Sequence, residues 1–264
     1  MSEGHPDGRV TVETRGSILL MGLDRTKKLN GLTPKMFDEL TEAYNELEEN
    51  DDLRVGVLFA HGKHFTAGID LPKFVEQMGS GKRSFYHEGK VDVYALKKKC
   101  SKPLVAAVQG ITYTAGIEMM LACDITVAAS DCRFSQLEPK RGIMAAGGAT
   151  FRFVERGGWG NAMYHLLRCD EFDAEEARRV GLVQEIVQPG EQLDRAIEIS
   201  EEIAKLAPQA ILATKASAMT YLLEGEKAAV DQFPAIQKRL SSSEDAKEGV
   251  ASFVEKREPK FTGR

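Results

Sequence analysis

Apolar residues fall into short, evenly spaced blocks along this chain, and the spacing within each block predicts its element. Residues 10–14 and 17–23 flank Arg15-Gly16 and read as two strands around a turn. Thr33-Pro34 then opens a helix, with Thr33 as N-cap and Pro34 at the first helical position. Phe37, Leu40, Tyr44 and Leu47 recur at helical spacing and give that helix one buried stripe. The runs 54–60, 103–108 and 125–129 are apolar enough to be strands buried on both faces. Between them, 71–78 is expected as a short helix, 79–82 as a loop, and 84–99 as a helix leading to Pro103. The lysines Lys97, Lys98 and Lys99 suit the C-terminal end of such a helix. From about Trp159 the pattern turns helical, broken by one apolar run at 182–187, and Trp159 is expected to anchor the start of a helix. From about Glu191, three or four helices follow without a strand signal.

Strands joined by crossover helices and followed by a helical tail predict an α/β core over residues 1–195 and a helical C-terminal region over 196–264. A tail of this kind suits packing on a partner subunit. The length of 264 residues, with 42% hydrophobic and 28% charged residues, fits one large globular unit with an appendage. A net charge of -5 leaves no basic footprint for nucleic acid. No apolar run approaches the roughly 20 residues that span a bilayer. The acid-bearing start, residues 1–7, does not read as a signal or transit peptide. Cys100, Cys123, Cys132 and Cys169 show no CxxC spacing, so reduced thiols and a cytoplasmic location are expected. The histidines are scattered without metal spacing and read as structural or surface residues.

Two glutamates carry the candidate chemistry. Glu118 follows the run 103–108 through the small-residue turn Thr114-Ala115-Gly116, which reads as strand, tight turn and helix start. Glu138 follows the run 125–129 in the same manner. Carboxyls delivered by neighbouring strand-to-turn units can converge on one cleft and divide acid and base roles. A third turn, Ala67-Gly68-Ile69-Asp70-Leu71, also follows a strand. Backbone N–H groups at such turns are left unpaired and can grip a developing oxyanion. Each turn taken alone reads equally well as structure: Gly68 as a turn residue, Gly116 as a packing glycine, Glu118 as a surface helix residue.

The order of these pieces identifies a relationship. The chain resembles the crotonase superfamily, also called the enoyl-CoA hydratase/isomerase family. The resemblance begins at Leu23-Asp24-Arg25-Thr26-Lys27-Lys28-Leu29-Asn30-Gly31-Leu32, continues through 65–71, 110–124 and 138–152, and closes at 244–257. It implies a crotonase fold, a spiral of ββα units with a helical C-terminal region, and assembly as a homotrimer or dimer of trimers. It implies a coenzyme A thioester as substrate and no prosthetic group. By that likeness the backbone N–H groups of Ile69 and Ala115 hold the thioester oxyanion, and Ala115 stands where the family commonly has glycine. Glu118 and Glu138 fill the positions of both hydratase glutamates, with Glu118 as base on water and Glu138 as proton donor to the α-carbon. Isomerases of the family work with a carboxylate at the Glu138 position alone. Ala146 stands where dienoyl-CoA isomerases place an aspartate, and no Asp/His pair of a dehalogenase is present. Lys28, Ala67, Ile69, Asp70 and Leu71 are placed by the resemblance near coenzyme A, and Phe253 and Lys256 near the nucleotide of a neighbouring subunit. Lys28, Asp70 and Lys256 read as well as solvated charges, and Phe253 as interface packing. The expected activity is hydration of a 2-enoyl-CoA; the alternatives are a double-bond isomerase and a silent acyl-CoA-binding scaffold.

Overall fold

Continuously apolar runs become strands only where both faces of a sheet are covered, and the computed structural model, which describes residues 5–74 and 87–264, covers them from both sides. In chain order the strands are β1 (Arg9–Arg15), β2 (Ile18–Asp24), β3 (Val55–Ala60), β4 (Leu104–Val108), β5 (Ile111–Tyr113), β6 (Ile125–Ala129), β7 (Arg133–Ser135), β8 (Phe172–Asp173) and β9 (Glu185–Val187). The helices are α1 (Pro34–Glu49), α2 (Ala115–Ala122), α3 (Ala149–Arg168), α4 (Ala174–Arg179), α5 (Gln192–Ala204), α6 (Pro208–Glu224), α7 (Glu226–Ser241) and α8 (Glu244–Glu255). The main sheet has six strands in the order β1-β2-β3-β4-β6-β9. β1 and β2 pair antiparallel, and every later neighbour is parallel.

Side chains alternate between the two faces at the strand period of two. Leu19, Met21 and Leu23 of β2, with Leu104, Ala106 and Val108 of β4, face the core beneath α1. Ile18 and Leu20, with Val105 and Ala107, face the other way onto Ala196, Ile197 and Ile199 of α5. The boundary expected between residues 195 and 196 therefore falls inside a helix that closes the second face of the sheet. Only after Pro208 does the chain leave the core, since α6 and α7 each bury a single residue, Ala213 and Ala229.

The expected strands, the α1 stripe and the C-terminal helices are present. Other expectations need correction. Residues 87–99 form turns rather than the end of a helix, because the Asp92 carboxylate accepts the N–H groups of Tyr94 (2.9 Å), Leu96 (3.3 Å) and Lys97 (3.2 Å). An Asp bonded to its own downstream amides competes with the helical ladder. Lys97, Lys98 and Lys99 consequently sit at no helix end. The helix expected at 71–78 is a 3₁₀ turn over Leu71–Phe74; its remainder, the loop expected at 79–82, and residues 84–86 lie outside the described residues. Trp159 does stand at a helix entry, because α3 breaks at Gly158 (φ 75°, ψ 163°), but at 70% exposure it does not anchor that entry within this chain. The sequence pattern also misses a second sheet of order β5-β7-β8, whose two- and three-residue strands are too short to show alternation.

Thr33 is the best-defined local determinant. Its hydroxyl accepts the Met36 N–H (3.3 Å) and donates to the Asp7 carbonyl (2.7 Å), and the residue is fully buried. Thr33→Ala should destabilise the protein by about 1–2 kcal/mol, read as a lower urea midpoint with an unchanged slope.

Candidate active site

The small sheet brings the three turns together. Residues 65–66 run beside the segment 109–113: Phe65 N–H donates to Gln109 O (2.8 Å), Thr66 N–H to Ile111 O (3.1 Å), and Tyr113 N–H to Thr66 O (3.0 Å). On the opposite side, Leu32 N–H donates to Gly68 O (2.9 Å) and Asp70 N–H to Leu32 O (2.7 Å). This bridge uses the groups flanking Ile69 and turns the Ile69 N–H away from Leu32. Ala115 is the first residue of α2, so its N–H has no acceptor within the helix. Among the described residues neither the Ile69 nor the Ala115 N–H has a hydrogen-bond partner.

The two turns are in contact. A Cβ on Gly68 (φ 102°) would collide with the Thr114 hydroxyl. Thr114 itself adopts φ 49°, ψ -113°, a costly conformation for a β-branched residue. The strain sits at the residue whose peptide bond presents the Ala115 N–H. Thr114 N–H donates to Ser135 O of β7 (3.0 Å), which locks the turn to the small sheet.

Glu118 lies on the first turn of α2 and is 4% exposed. Its Oε1 accepts the Gly147 N–H (2.6 Å) and the Ala149 N–H (3.2 Å). Burial pushes the carboxyl up to about 7, and the nearby Glu138 adds to this; the two amides and the Arg152 charge pull the other way. Glu138 opens the 3₁₀ turn Glu138–Arg141. Its carboxyl is also raised, chiefly by burial. Its Oε2 is buried without a hydrogen-bond partner, and both amide atoms of buried Gln136 are in the same condition. Orphaned polar atoms of this kind mark places that a water or ligand completes. The two glutamates thus differ: Glu118 Oε1 is held by two amides at the start of α3, whereas Glu138 keeps a buried Oε2 without a partner.

Three residues of this site escape the sequence reading. Tyr94 is buried, and its phenol is held well above its ordinary range by burial and by the charges of Glu118 and Glu138, so it stands beside both. Its signal was hidden in a segment patterned like a helix. Gly147 has no room for a side chain: a Cβ would lie 2.5 Å from Glu118 Oε2 and 2.8 Å from Tyr94 Cδ1. Arg152, buried on α3, donates to Gly147 O (3.1 Å). The Gly147-Gly148 pair was the available clue to this close approach.

The other candidates divide into two groups. Lys28 ends the exposed 3₁₀ turn Thr26–Lys28, and Leu29 O beside it accepts the Ala67 N–H (3.0 Å), so Lys28 borders the 67–71 strip. Asp70 pairs with Arg25 at 2.8 Å, an anchored carboxylate rather than a solvated one. Leu71 begins the 3₁₀ turn that follows. Phe253, 85% exposed, and Lys256, the left-handed C-cap of α8, are not brought to the glutamates within this chain. Among the described residues no His/Cys/Asp/Glu cluster is placed to hold a metal, and no helix is long and apolar enough to cross a membrane.

Comparison with known proteins places this geometry. A family model described as enoyl-CoA hydratase/isomerase matches residues 13–264. An enoyl-CoA hydratase of Mycobacterium tuberculosis is 30% identical over 99% of this chain and 98% of its own length. A short-chain-enoyl-CoA hydratase of Clostridium acetobutylicum is 30% identical over 94% of this chain and 95% of its own. The crystal structure of a probable enoyl-CoA hydratase/isomerase from Mycobacterium abscessus superimposes with a TM-score of 0.94 at 41% identity, covering 97% of this chain and 98% of that one. The spiral of ββα units expected from the sequence is therefore the fold of this chain.

The buried carboxyl has a thermodynamic consequence. Burial holds the Glu118 proton up to about 7 in the folded protein, against the ordinary carboxyl value of 4.5 that stands for the unfolded chain. The stabilisation from its protonated form is complete below pH 4.5 and is lost as pH rises through about 7. Glu118→Gln mimics the protonated carboxyl. It should raise the melting temperature at pH 8, by an amount worth up to about 3 kcal/mol, and leave it nearly unchanged at about pH 4.5. Melts at the two pH values check the sign.

Proposed function

The chain belongs to the enoyl-CoA hydratase/isomerase family, and on that premise we propose that it adds water across the 2,3 double bond of a 2-enoyl-CoA thioester. The observation that carries this reading is the pair of buried glutamates in unlike environments, set beside two turns with unpartnered amides. Glu118 takes a proton from water as the water oxygen bonds to the β-carbon. The double-bond electrons move toward the thioester carbonyl, whose oxygen becomes the oxyanion of an enolate. The Ile69 and Ala115 N–H groups receive that oxyanion, and Glu138 returns a proton to the α-carbon. One carboxyl must start ionised and the other protonated. Burial raises both carboxyls, so a proton can be kept between them, and the Gly147 and Ala149 amides that grip Glu118 favour its ionised form.

The thioester binds as substrate, and no prosthetic group takes part. We place coenzyme A along Lys28, Ala67, Ile69, Asp70 and Leu71, supported by their continuity with the Ile69 amide. The chain assembles as a homotrimer or dimer of trimers through residues 196–264, supported by the exposed Tyr221, Leu222, Leu223 and Phe233. Phe253 and Lys256 then reach the nucleotide bound by a neighbouring subunit. Four buried, unpaired cysteines support a reducing, cytoplasmic setting.

Crotonyl-CoA hydration, followed as loss of the conjugated-thioester absorbance, should fall by at least about 10²-fold in both Glu118→Gln and Glu138→Gln. Full activity in both variants would sink the reading. Double-bond migration that survives Glu118→Gln but not Glu138→Gln would make the chain an isomerase. Tight acyl-CoA binding without turnover would make it a scaffold. In the wild type, kcat should rise with pH through about 7 as Glu118 ionises.

A further inference from the structure

Arg152 stands on the first turn of α3, yet its side chain turns inward and the residue is only 6% exposed. The guanidinium donates to three main-chain carbonyls: Gly147 O (3.1 Å), Tyr94 O (2.6 Å) and Ala95 O (3.3 Å). All three acceptors are neutral. A buried cation is costly to desolvate, and a neutral donor would staple carbonyls at less expense. The position of the acceptors suggests what the cation is for. Gly147 accepts from Arg152 through its carbonyl and donates to Glu118 Oε1 through its N–H (2.6 Å). Tyr94 presents its ring to the same Gly147 Cα, and its carbonyl is the nearest of the three to Arg152. Both walls that confine the Glu118 carboxylate are thereby hung on one side chain.

We propose that Arg152 is a positioning residue for Glu118: it fixes the Gly147 peptide that grips Oε1, clamps the Tyr94 segment against the carboxylate, and supplies a buried positive charge to the site. The inference rests on Glu118 acting as the base on water. Among the described residues three ionisable groups face Glu118: Glu138 from its 3₁₀ turn, Tyr94 from the 87–99 segment and Arg152 from α3. Asp92, Glu155 and Arg156 surround Arg152 in turn. Of the described groups facing Glu118, only Arg152 is a cation, so its loss removes a charge that opposes the repulsion from Glu138. Glu118 would then hold its proton to a higher pH and ride on a looser loop.

The test compares Arg152→Gln, which removes the charge but keeps amide donors, with Arg152→Lys, which keeps the charge but loses the fork. Two readouts are taken on each folded protein. The first is the titration of Glu118 by NMR of carboxyl-¹³C glutamate, assigned by the resonance missing in Glu118→Gln. The second is the pH dependence of kcat and KM on crotonyl-CoA. In Arg152→Gln the Glu118 midpoint should rise by about one pH unit. Its kcat at pH 7 should drop about 10²-fold with KM little changed. Arg152→Lys should restore the midpoint but recover kcat only in part. An unshifted midpoint in Arg152→Gln, or wild-type kcat in Arg152→Lys, would overturn the proposal. If Arg152→Gln fails to fold, Arg152→Lys alone decides by its kcat. Absence of turnover in the wild type would remove the hydratase reading and leave the NMR titration to judge Arg152.

Discussion

Burial of the Glu118 carboxyl is the constraint around which the site is arranged. A carboxylate at that depth needs donors, and it finds them in the Gly147 and Ala149 amides of a different element. That requirement fixes the distance between α2 and the start of α3. It also forbids a side chain at Gly147, because the space is filled by the carboxylate and by Tyr94. Tyr94 is in place because Asp92 curls the 92–97 segment into turns. A helix there would carry the ring elsewhere.

The two sheets contribute in different ways. The large sheet supplies rigidity, since its strands are covered by α1 on one face and α5 on the other. The small sheet supplies placement. β5 ends one residue before the strained Thr114, β7 ends three residues before Glu138, and the Thr66–Thr112 bridge joins the 67–71 strip to both. The candidate site residues therefore gather at the ends of two three-residue strands.

That division explains what was legible in the sequence. The long strands, the Thr33-Pro34 start of α1 and the C-terminal helices declare themselves because period and capping are local properties. Glu118, Glu138, Ile69 and Ala115 could be named in order along the chain. Their convergence could not be read from spacing, because it depends on β5 and β7, which are too short to have a period. The turn at Asp92 was misread for a related reason: residues 84–99 carry a helix-like pattern, and one carboxylate bonding three amides overrides it. Arg152 was invisible as a site residue because a basic side chain at the start of a helix ordinarily points to water. Only the fold shows it turned inward.

The unpartnered amides of Ile69 and Ala115 are main-chain groups, and this separates two properties that most active sites entangle. A mutation at position 69 or 115 alters the local side-chain wall but leaves an N–H in place, proline excepted. The hydrogen-bond donors are inherited with the backbone, whereas the shape around them is written in side chains. Ala115 carries a buried methyl beside its N–H without removing that N–H. A lineage built on these turns can reshape the surrounding wall by single substitutions and keep both N–H groups at every step.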